Sequence, residues 1–425
     1  MKKVLLFLIF VFNLSSVFAQ KSQRNYPLAI SRFQKYYNEK NADSLYAMYS
    51  ERMQYALPPQ KTKDMLNTIN QQVGQLRSYK IEKETDANVT YRGIFEKAEL
   101  FIVIALTPSE QLGMLLFQPV KNEETKPVTL APDSSNFNIK TIDDYTVYGT
   151  LQMPKQPQVK PSVVLIIAGS GPTDRNCNSD LGFHSNAYKI LADSLANAGI
   201  ASVRYDKRGI GKSALSPAAM ISTRFDDMVD DAALFAKKIK EDKRFGKVFI
   251  LGHSEGSLIG MRVANKEKVD GFISLAGAGQ RADFIMKKQI AANAPQLSPA
   301  ADSILNSLVK GNTVLVNNPQ LTSIFNESVQ PYLISWFAYD PGIEIKKLNT
   351  RVLLINGTSD LQVDVSEMKK LKAAKPAATS VVIDGMNHVL KDGGKTPEEN
   401  RAAYNNVELP LANGLSPAIV NFVRK

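Results

Sequence analysis

The sequence predicts an α/β protein in which a mostly parallel sheet is covered by helices on both faces, preceded by a smaller α+β unit. Continuous apolar runs such as 162–167 and 247–251 indicate strands that are buried on both faces. Helical patterns alternate with such runs from residue 187 to residue 423, an order typical of parallel β-α-β connections. Before residue 120 the order differs, because two helical patterns are followed by four strand patterns in succession.

The first residues of the chain are typical of a secretory signal. Lys2 and Lys3 precede an apolar run at 4–12, and Ala19 is a small residue before a plausible cleavage point. The run is too short to span a bilayer. We therefore expect a signal peptide at 1–19, a periplasmic or secreted protein and no stable membrane anchor. An uncleaved anchor is the alternative.

Residues 25–120 form the predicted small α+β unit, and the charged, proline-rich stretch 121–133 predicts a linker. Helical spacing covers 30–49 and 63–76, and strand patterns follow at 78–82, 89–95, 100–106 and 112–117. This order, with a first helix rich in Tyr and Phe, resembles small cone-shaped domains of the nuclear-transport-factor-like type. No acid–base pair stands out here, so we expect a packing module or a surface that forms a homo-oligomer.

Residues 136–425 form the predicted α/β domain. An antiparallel start is expected at 137–141 and 145–153, and the parallel strands are centred on Leu165, Val203, Phe249, Ile273, Leu354 and Val382. Helices are predicted at 187–198, 225–240, 257–264, 365–373 and 417–423, the last with Ser416 as its N-cap.

The strand pattern is lost between about 280 and 342, which predicts a helical cap inserted over the site. Its large apolar side chains either pack within the cap or line a substrate pocket. These side chains are Phe284, Met286, Leu321, Phe325, Tyr332, Leu333, Trp336, Phe337 and Tyr339.

The segment G-H-S-E-G at 252–256 is the strongest functional signal in the chain. It follows an apolar strand and precedes a helical pattern, so the G-x-S-x-G motif lies in the strand–turn–helix context of a nucleophile elbow. The two glycines leave room for a strained turn that exposes the serine hydroxyl above the sheet. We therefore predict that Ser254 is a catalytic nucleophile rather than part of an ordinary glycine-rich turn.

A serine nucleophile needs a base, and an acid to orient that base. Only His388, of three histidines, follows Ser254 in the chain, and it lies in a loop after a strand pattern. The acid is predicted to be Asp360, in the loop after the strand 351–356 and 28 residues before His388. Asp364 is the alternative acid, although its position at the start of the next helix favours a structural role. His253 is expected to pack beside the elbow.

Two backbone N–H groups are expected to form the oxyanion hole. The first belongs to Glu255, the residue after the nucleophile. The second belongs to Ser170, in the glycine-rich loop after the strand 162–167, with Gly171 as the alternative.

Five motifs now occur in one order: A-G-S-G-P-T-D-R at 168–175, Y-D-K-R-G-I-G-K-S at 205–213, G-H-S-E-G at 252–256, N-G-T-S-D-L-Q-V at 356–363 and G-M-N-H at 385–388. In this order they resemble the α/β-hydrolase superfamily, and especially bacterial carboxylesterases of the serine aminopeptidase-like and dienelactone hydrolase-like type. One departure is Ala168, where many relatives carry histidine. The resemblance implies a loop at 206–213 that flanks the site, where we expect the charged residues to form structural ion pairs with Asp174 or Glu255.

Composition excludes several other classes of function. The segment 206–213 lacks the first glycine of a phosphate-binding P-loop, and neither a histidine pair at ligand spacing nor a cysteine cluster is present, so we expect no cofactor and no metal. The net charge of +11 comes from scattered lysines and arginines without a nucleic-acid-binding motif. The single cysteine, Cys177, rules out an intramolecular disulfide.

Three hypotheses for function follow. The first is an exported serine carboxylesterase, which hydrolyses a small-molecule ester through an acyl-enzyme on Ser254. The second is an aminopeptidase with the same triad, which needs acidic groups such as Asp302, Glu327 or Asp340 near the cleft. The third is a binding protein on a hydrolase scaffold, against which the complete set of catalytic residues argues.

Overall fold

The computed structural model of the chain describes residues 25–85, 88–120, 134–154, 160–179 and 183–425. The predicted signal peptide and linker lie outside these residues. The described chain divides into two compact units. The smaller contains the residues up to 120 together with Val316–Ile324, and the larger contains the remainder. Residues Val316–Ile324 lie within the predicted cap at 280–342.

The smaller unit is an α+β structure, as the sequence predicts. Its elements are the helices α1 (Tyr26–Asn38), α2 (Ala42–Ala47), α3 (Glu51–Ala56) and α4 (Pro59–Val73) and the strands β1 (Leu76–Glu84), β2 (Val89–Phe95), β3 (Glu99–Leu106) and β4 (Leu112–Pro119). The strands pair antiparallel in chain order. Aromatic residues of α1 pack on this sheet, with the Phe33 ring 5.7 Å from that of Phe117 and the Tyr37 ring 5.5 Å from that of Phe95.

The larger unit contains an eight-stranded, mostly parallel sheet. Its strands are β5 (Ser134–Asn136), β8 (Gly149–Gln152), β9 (Val163–Ile167), β12 (Ala201–Tyr205), β13 (Val248–His253), β14 (Gly271–Leu275), β15 (Arg351–Gly357) and β16 (Thr379–Ile383). Two short hairpins stand apart from it, formed by β6 (Ile139–Lys140) with β7 (Thr146–Val147) and by β10 (Asn178–Ser179) with β11 (Phe183–His184).

The remaining helices of the described chain follow in sequence order. They are α5 (Ala187–Asn197), α6 (Pro217–Ser222), α7 (Phe225–Glu241), α8 (Glu255–Glu267), α9 (Ala282–Asn293), α10 (Ser298–Val309), α11 (Pro319–Phe325), α12 (Gln330–Phe337), α13 (Pro341–Lys346), α14 (Val365–Ala374), α15 (Pro397–Ala403) and α16 (Leu415–Arg424). None of the helices in the described part of the chain is long and apolar enough to cross a membrane.

Helices cover both faces of the sheet, which explains the continuous apolar runs in the sequence. In β9, Val163, Leu165 and Ile167 contribute to one buried cluster, and Val164 and Ile166 contribute to the other. Side chains of a strand point alternately to the two faces, so a strand buried on both sides must be apolar at every position.

The order of strands determines where a site can form. From one edge to the other the order is β16-β15-β14-β13-β9-β12-β8-β5. The chain runs from β9 to β12 on one side and then returns past β9 to β13 on the other. Ligands of open α/β sheets bind at such a switch point, outside the carboxyl ends of the two strands. The loop at 168–175 follows β9, and Ser254 follows β13.

Local details differ from the sequence prediction where backbone geometry dominates. Helix α8 begins at Glu255 rather than at 257, directly after the turn. Helix α16 is capped by Gly414, whose φ of +91° favours glycine, and not by Ser416. The large sheet begins at Ser134, two residues before the predicted boundary of 136.

The charged loop after β12 forms buried ion pairs. Lys207 Nζ lies 3.8 Å from Oε2 of Glu255, an expected partner, whereas the closer pairs of the loop have other partners. Asp206 accepts two hydrogen bonds from the Arg175 guanidinium, at 2.7 and 3.0 Å. Arg208 donates to both carboxylate oxygens of Asp231, at 2.6 and 2.8 Å. Asp174 instead accepts backbone N–H groups of its own loop. These bidentate pairs tie the loop at 206–213 to the loop after β9 and to helix α7.

Candidate active site

The backbone turn at Ser254 places a serine between the end of β13 and the start of α8. Ser254 has φ +54° and ψ −121°, a conformation that few non-glycine residues adopt. Its N–H donates to the carbonyl of Leu275 at 2.9 Å, and its carbonyl accepts from the N–H of Ser257 at 2.9 Å. The turn is therefore held on both sides, and it raises the side chain out of the sheet at the switch point.

Two glycines allow this turn to form. A Cβ atom at Gly252 would lie 2.1 Å from the carbonyl oxygen of Gly256. A Cβ atom at Gly256 would lie 2.4 Å from the carbonyl oxygen of Ile167 in β9. Both distances are well inside van der Waals contact, so the elbow requires glycine at both positions.

His388 and Asp360 form a buried hydrogen-bonded pair. His388 Nδ1 lies 2.8 Å from Asp360 Oδ2, and both side chains are almost completely buried. Asp360 Oδ1 accepts the N–H groups of Gln362 and Val363, at 2.8 and 2.9 Å. Because an ionised carboxylate only accepts, the proton of the neutral imidazole resides on Nδ1, and Nε2 keeps a lone pair. His388 can therefore act as a base through Nε2.

Asp364, the alternative acid, is engaged elsewhere. It caps helix α14 by accepting the N–H of Ser366 at 2.8 Å, and it pairs with Lys288. The hydrogen bond from Lys288 and that from Ser366 lower the pKa of Asp364 to about 2. Asp360, and not Asp364, is thus the carboxylate that reaches His388.

Ser170 and Glu255 carry the two predicted oxyanion donors. Among the hydrogen bonds of the described residues, neither of their backbone N–H groups donates one. Glu255 is the first residue of α8, where N–H groups have no partner within the helix and the helix dipole favours negative charge. A Cβ atom at Gly169, just before Ser170, would lie 2.9 Å from the Ser254 Cβ, so this loop lies directly against the serine.

His253 connects the loop after β9 to the loop that carries His388. Its Nε2 lies 2.9 Å from the carbonyl oxygen of His388, which only accepts, so Nε2 carries the proton. Its Nδ1 therefore accepts the hydroxyl of Tyr188, at 2.7 Å. The Tyr188 oxygen in turn accepts the N–H of Gly169 at 3.3 Å. His253, which the sequence suggested only to be a packing residue, is the centre of a buried hydrogen-bond chain.

A cavity of about 130 Å³ contains both Ser254 and His388. Its walls come from the loop after β9, the β10–β11 hairpin, α5 and the C-terminal loops. The lining residues are Gly169, Ser170, Thr173, Cys177, Phe183, Tyr188, His253, Ser254, Gln362, His388, Val389 and Tyr404. Burial raises the pKa of the Cys177 thiol to about 11, so this neighbour remains protonated near neutral pH and is a poor nucleophile.

None of the apolar residues predicted at 280–342 lines this cavity. Tyr332, Trp336 and Tyr339 instead pack around Phe225, at ring distances of 5.6 to 6.4 Å. Phe284 is 48% exposed. Sequence analysis missed the wall formed by Phe183 and Tyr404, whose rings meet edge to face at 5.6 Å. Phe183 begins the two-residue strand β11 and Tyr404 follows helix α15, and neither position has a distinguishing sequence pattern.

The site offers no metal-binding group in the described residues, where no three His, Cys, Asp or Glu side chains are grouped to hold an ion. The third histidine, His184, lies in β11, and its N–H donates to the Asn405 side chain at 3.1 Å.

We predict a pH-dependent contribution of His253 to stability. Burial, and then the neighbouring His388, lower the pKa of His253 well below its ordinary value of 6.5. Below pH 6.5 the unfolded chain therefore binds a proton that the folded protein does not. The free energy of unfolding should decrease as pH falls, by up to about 1.4 kcal/mol per pH unit from this group.

The measurement is urea unfolding of the wild type and His253→Phe between about pH 7.5 and pH 5.5. Near pH 7.5 the variant should be less stable than the wild type, because two hydrogen bonds are lost. Its free energy of unfolding should also change less with pH. Parallel curves for the two proteins, or an NMR titration of His253 near pH 6.5, would contradict the prediction.

Comparison with known proteins shows what the chain is similar to. A family model described as serine aminopeptidase, S33, matches residues 180–391. A second model, described as a protein of unknown function (DUF3887), matches residues 31–113. The esterase EstD of Thermotoga maritima is 25% identical over 380 residues, which cover 86% of this chain and 89% of the relative.

Similar chains also occur among solved structures. Est1E from Butyrivibrio proteoclasticus, with bound ferulic acid, is 16% identical with a TM-score of 0.43, over 68% of this chain and 96% of that chain. A thermophilic esterase from Thermogutta terrifontis, with bound malate, is 17% identical with a TM-score of 0.42, over 68% and 98% of the two chains. With its eight-stranded sheet and its match to the serine aminopeptidase model, the chain belongs to the α/β-hydrolase superfamily.

Proposed function

We propose that the protein is an exported serine esterase that hydrolyses carboxylic esters through Ser254, His388 and Asp360. The observation that carries the proposal is the buried pair of Asp360 and His388, whose imidazole lines the same cavity as the strained serine. The similarity to EstD, a protein named as an esterase, supports the choice of ester as the bond that is cleaved.

The first half of the reaction forms the acyl-enzyme. His388 Nε2 accepts the proton of Ser254 as the hydroxyl oxygen attacks the ester carbonyl carbon, and the carbonyl electrons move to the oxygen. The N–H groups of Glu255 and Ser170 stabilise this oxyanion. When the intermediate collapses, the C–O bond to the alcohol breaks, and His388 returns the proton to the leaving alkoxide.

The second half regenerates the serine. His388 takes a proton from water, the resulting hydroxide attacks the acyl carbon, and the same N–H groups hold the second oxyanion. Ser254 then leaves with the proton from His388, and the carboxylic acid is released. In both halves Asp360 keeps the imidazole in its productive tautomer and stabilises the imidazolium.

The composition of the cavity favours an ester over an aminopeptidase substrate. An aminopeptidase needs a carboxylate near the nucleophile to hold the free amine of the peptide. None of the residues that line the cavity is acidic. Asp302, Glu327 and Asp340, the predicted candidates, are absent from the lining, and Asp340 instead caps helix α13.

The size of the cavity favours a small acyl group. A closed apolar cavity of about 150 Å³ holds one benzene molecule. The present cavity is partly open and measures about 130 Å³, so its enclosed part suits a group of about six heavy atoms. Phe183 and Tyr404 close one side, and Gln362 donates a hydrogen bond to the Tyr404 hydroxyl at 3.1 Å.

Export is supported by sequence alone. The basic and apolar segments at 1–19 have the order of a secretory signal, and they lie outside the described residues.

We expect Ser254→Ala and Asp360→Asn to reduce kcat for p-nitrophenyl butyrate by about 10⁴-fold or more, since the nucleophile or the histidine tautomer is lost. Asp364→Asn is the matched control, because it removes a carboxylate four residues away that caps a helix. A fluorophosphonate probe should label wild type and Asp364→Asn but not Ser254→Ala. Ester turnover or labelling that persists in Ser254→Ala would overturn the proposal.

Chain length of the acyl group gives a second prediction. The value of kcat/KM should fall by about tenfold or more from p-nitrophenyl butyrate to the laurate, because the longer chain does not fit. Tyr404→Ala should make this fall in kcat/KM smaller, because it opens the cavity wall that Tyr404 forms. Phe284→Ala, which removes an exposed ring, should leave the fall unchanged. A wild type that prefers the laurate would exclude the small-acyl assignment.

Localisation can be tested in a bacterial host. The full chain should yield a mature protein in the periplasm or the medium, with its N-terminus at or near Gln20 by mass spectrometry. A full-length chain retained in the membrane would instead support the uncleaved anchor.

A further inference from the structure

Lys207 is a buried cation that the proposed mechanism does not use. It follows β12 and is only 6% exposed. Its neighbours in sequence, Asp206 and Arg208, form close bidentate ion pairs, but the nearest carboxylate oxygen to Lys207 Nζ, on Glu255, is 3.8 Å away. Burial lowers the pKa of Lys207. Burying an ammonium group costs free energy, so hydrogen-bond partners must compensate for the lost water.

Those partners are carbonyl groups of the loop that lies against the serine. Lys207 Nζ donates to the carbonyl oxygen of Gly169, and to that of Gly171 at 3.2 Å. Both carbonyls therefore point toward the ammonium. No cis peptide bond occurs in the described chain.

A trans peptide directs its N–H opposite to its C=O, in the same plane. The carbonyl of Gly169 shares its peptide plane with the N–H of Ser170. The hydrogen bond from Lys207 to this carbonyl therefore directs the Ser170 N–H away from the ammonium. The carbonyl of Gly171 shares its plane with Pro172, which has no N–H. Through the Gly169 carbonyl, Lys207 thus fixes the orientation of the Ser170 N–H. This favours the Ser170 N–H over the Gly171 N–H as the oxyanion donor.

The same ammonium also lies beside the residue that carries the other donor. Glu255 Oε2 is the carboxylate oxygen at 3.8 Å, and Glu255 Oε1 accepts the hydroxyl of Tyr332 at 2.7 Å. Lys207 therefore contacts one donor residue through its side chain and the other through the preceding peptide. A charged hydrogen bond to the Gly169 carbonyl also polarises the peptide and strengthens Ser170 N–H as a donor.

We propose that Lys207 is a positioning residue of the oxyanion hole, which holds the Gly169–Ser170 peptide so that the Ser170 N–H faces the developing negative charge. This inference rests on the proposed esterase function. Lys207 does not contact the substrate in this proposal. It acts through a peptide plane and through the field of a positive charge placed behind it.

The test compares Lys207→Met with the wild type and with Lys212→Met, which removes an exposed lysine from the same segment. Lys207→Met keeps the length of the side chain and removes the donors. Since the oxyanion exists only in the transition state, kcat should fall by about 10- to 100-fold with KM within about threefold. Lys212→Met should retain both values.

A trifluoromethyl ketone provides the readout that a general loss of structure would not mimic. Ser254 Oγ adds to its carbonyl carbon, the C=O electron pair moves to the oxygen, and His388 takes the serine proton. The bound hemiketal oxyanion reproduces the charge in the hole. Its Ki should rise in Lys207→Met by the same factor by which kcat/KM falls, whereas the Ki of the uncharged parent alcohol should not change.

Lys207→Met leaves Glu255 without its cation, so folding is checked by circular dichroism and thermal unfolding. If the single variant does not fold, Lys207→Met with Glu255→Gln removes the unpaired charge and must show the same loss of kcat and of ketone affinity. Full kcat, or unchanged ketone affinity, in the folded variant would overturn the role of Lys207. Activity that survives in Ser254→Ala would instead overturn the esterase proposal itself.

Discussion

The backbone turn at Ser254 is the constraint on which the rest of the site depends. A positive φ at a non-glycine residue is unfavourable, and it persists only where the surroundings hold it. Here the carbonyl of Leu275 in β14 accepts the serine N–H. The absence of side chains at Gly252 and Gly256 lets the backbone of α8 pack directly against that of β9. The close approach brings the start of α8, with its unpaired N–H groups, beside the loop after β9. The strained turn at Ser254 thus sets the positions of the proposed nucleophile, the start of α8 and the proposed oxyanion loop together.

Buried polar groups then hold the surrounding loops in register with that turn. Tyr188 and His253 link the N–H of Gly169 to the carbonyl of His388. Two bidentate pairs, Arg175 with Asp206 and Arg208 with Asp231, fasten the loop from which Lys207 projects. Buried ion pairs are weak contributors to stability, because their desolvation offsets their attraction, but they tolerate little displacement. Here these ion pairs fix the positions of the loops, since loops carry the proposed catalytic groups and would otherwise be free to shift.

The sequence predicted what short patterns encode and missed what depends on the order of strands. The elbow at Ser254 and the order of Asp360 and His388 follow from local motifs, and in the structure His388 Nδ1 lies 2.8 Å from Asp360 Oδ2. The partners of Lys207 and Arg208 could not be predicted, because they lie 38 and 23 residues away and depend on which strands are neighbours. Similarly, Phe183 and Tyr404 line the cavity although 221 residues separate them, whereas Tyr332, Trp336 and Tyr339 follow the packing alternative that the sequence left open. Helix α16 is capped by Gly414 in a left-handed backbone conformation, whereas the nearby Ser416 had suggested a serine N-cap.

The distribution of charge suits a reaction whose transition state separates charge. In the proposed reaction, His388 becomes positive and the carbonyl oxygen becomes negative as Ser254 attacks. Asp360 lies behind the imidazole, at 2.8 Å, and Lys207 lies behind the peptide that presents the Ser170 N–H. His253, with its ring 4.8 Å from that of His388, would oppose the new positive charge if it were protonated, but burial lowers its pKa and keeps it neutral. In the proposed reaction, Asp360 and Lys207 therefore each stand behind a developing charge of opposite sign, and burial keeps the neighbouring His253 from opposing the imidazolium.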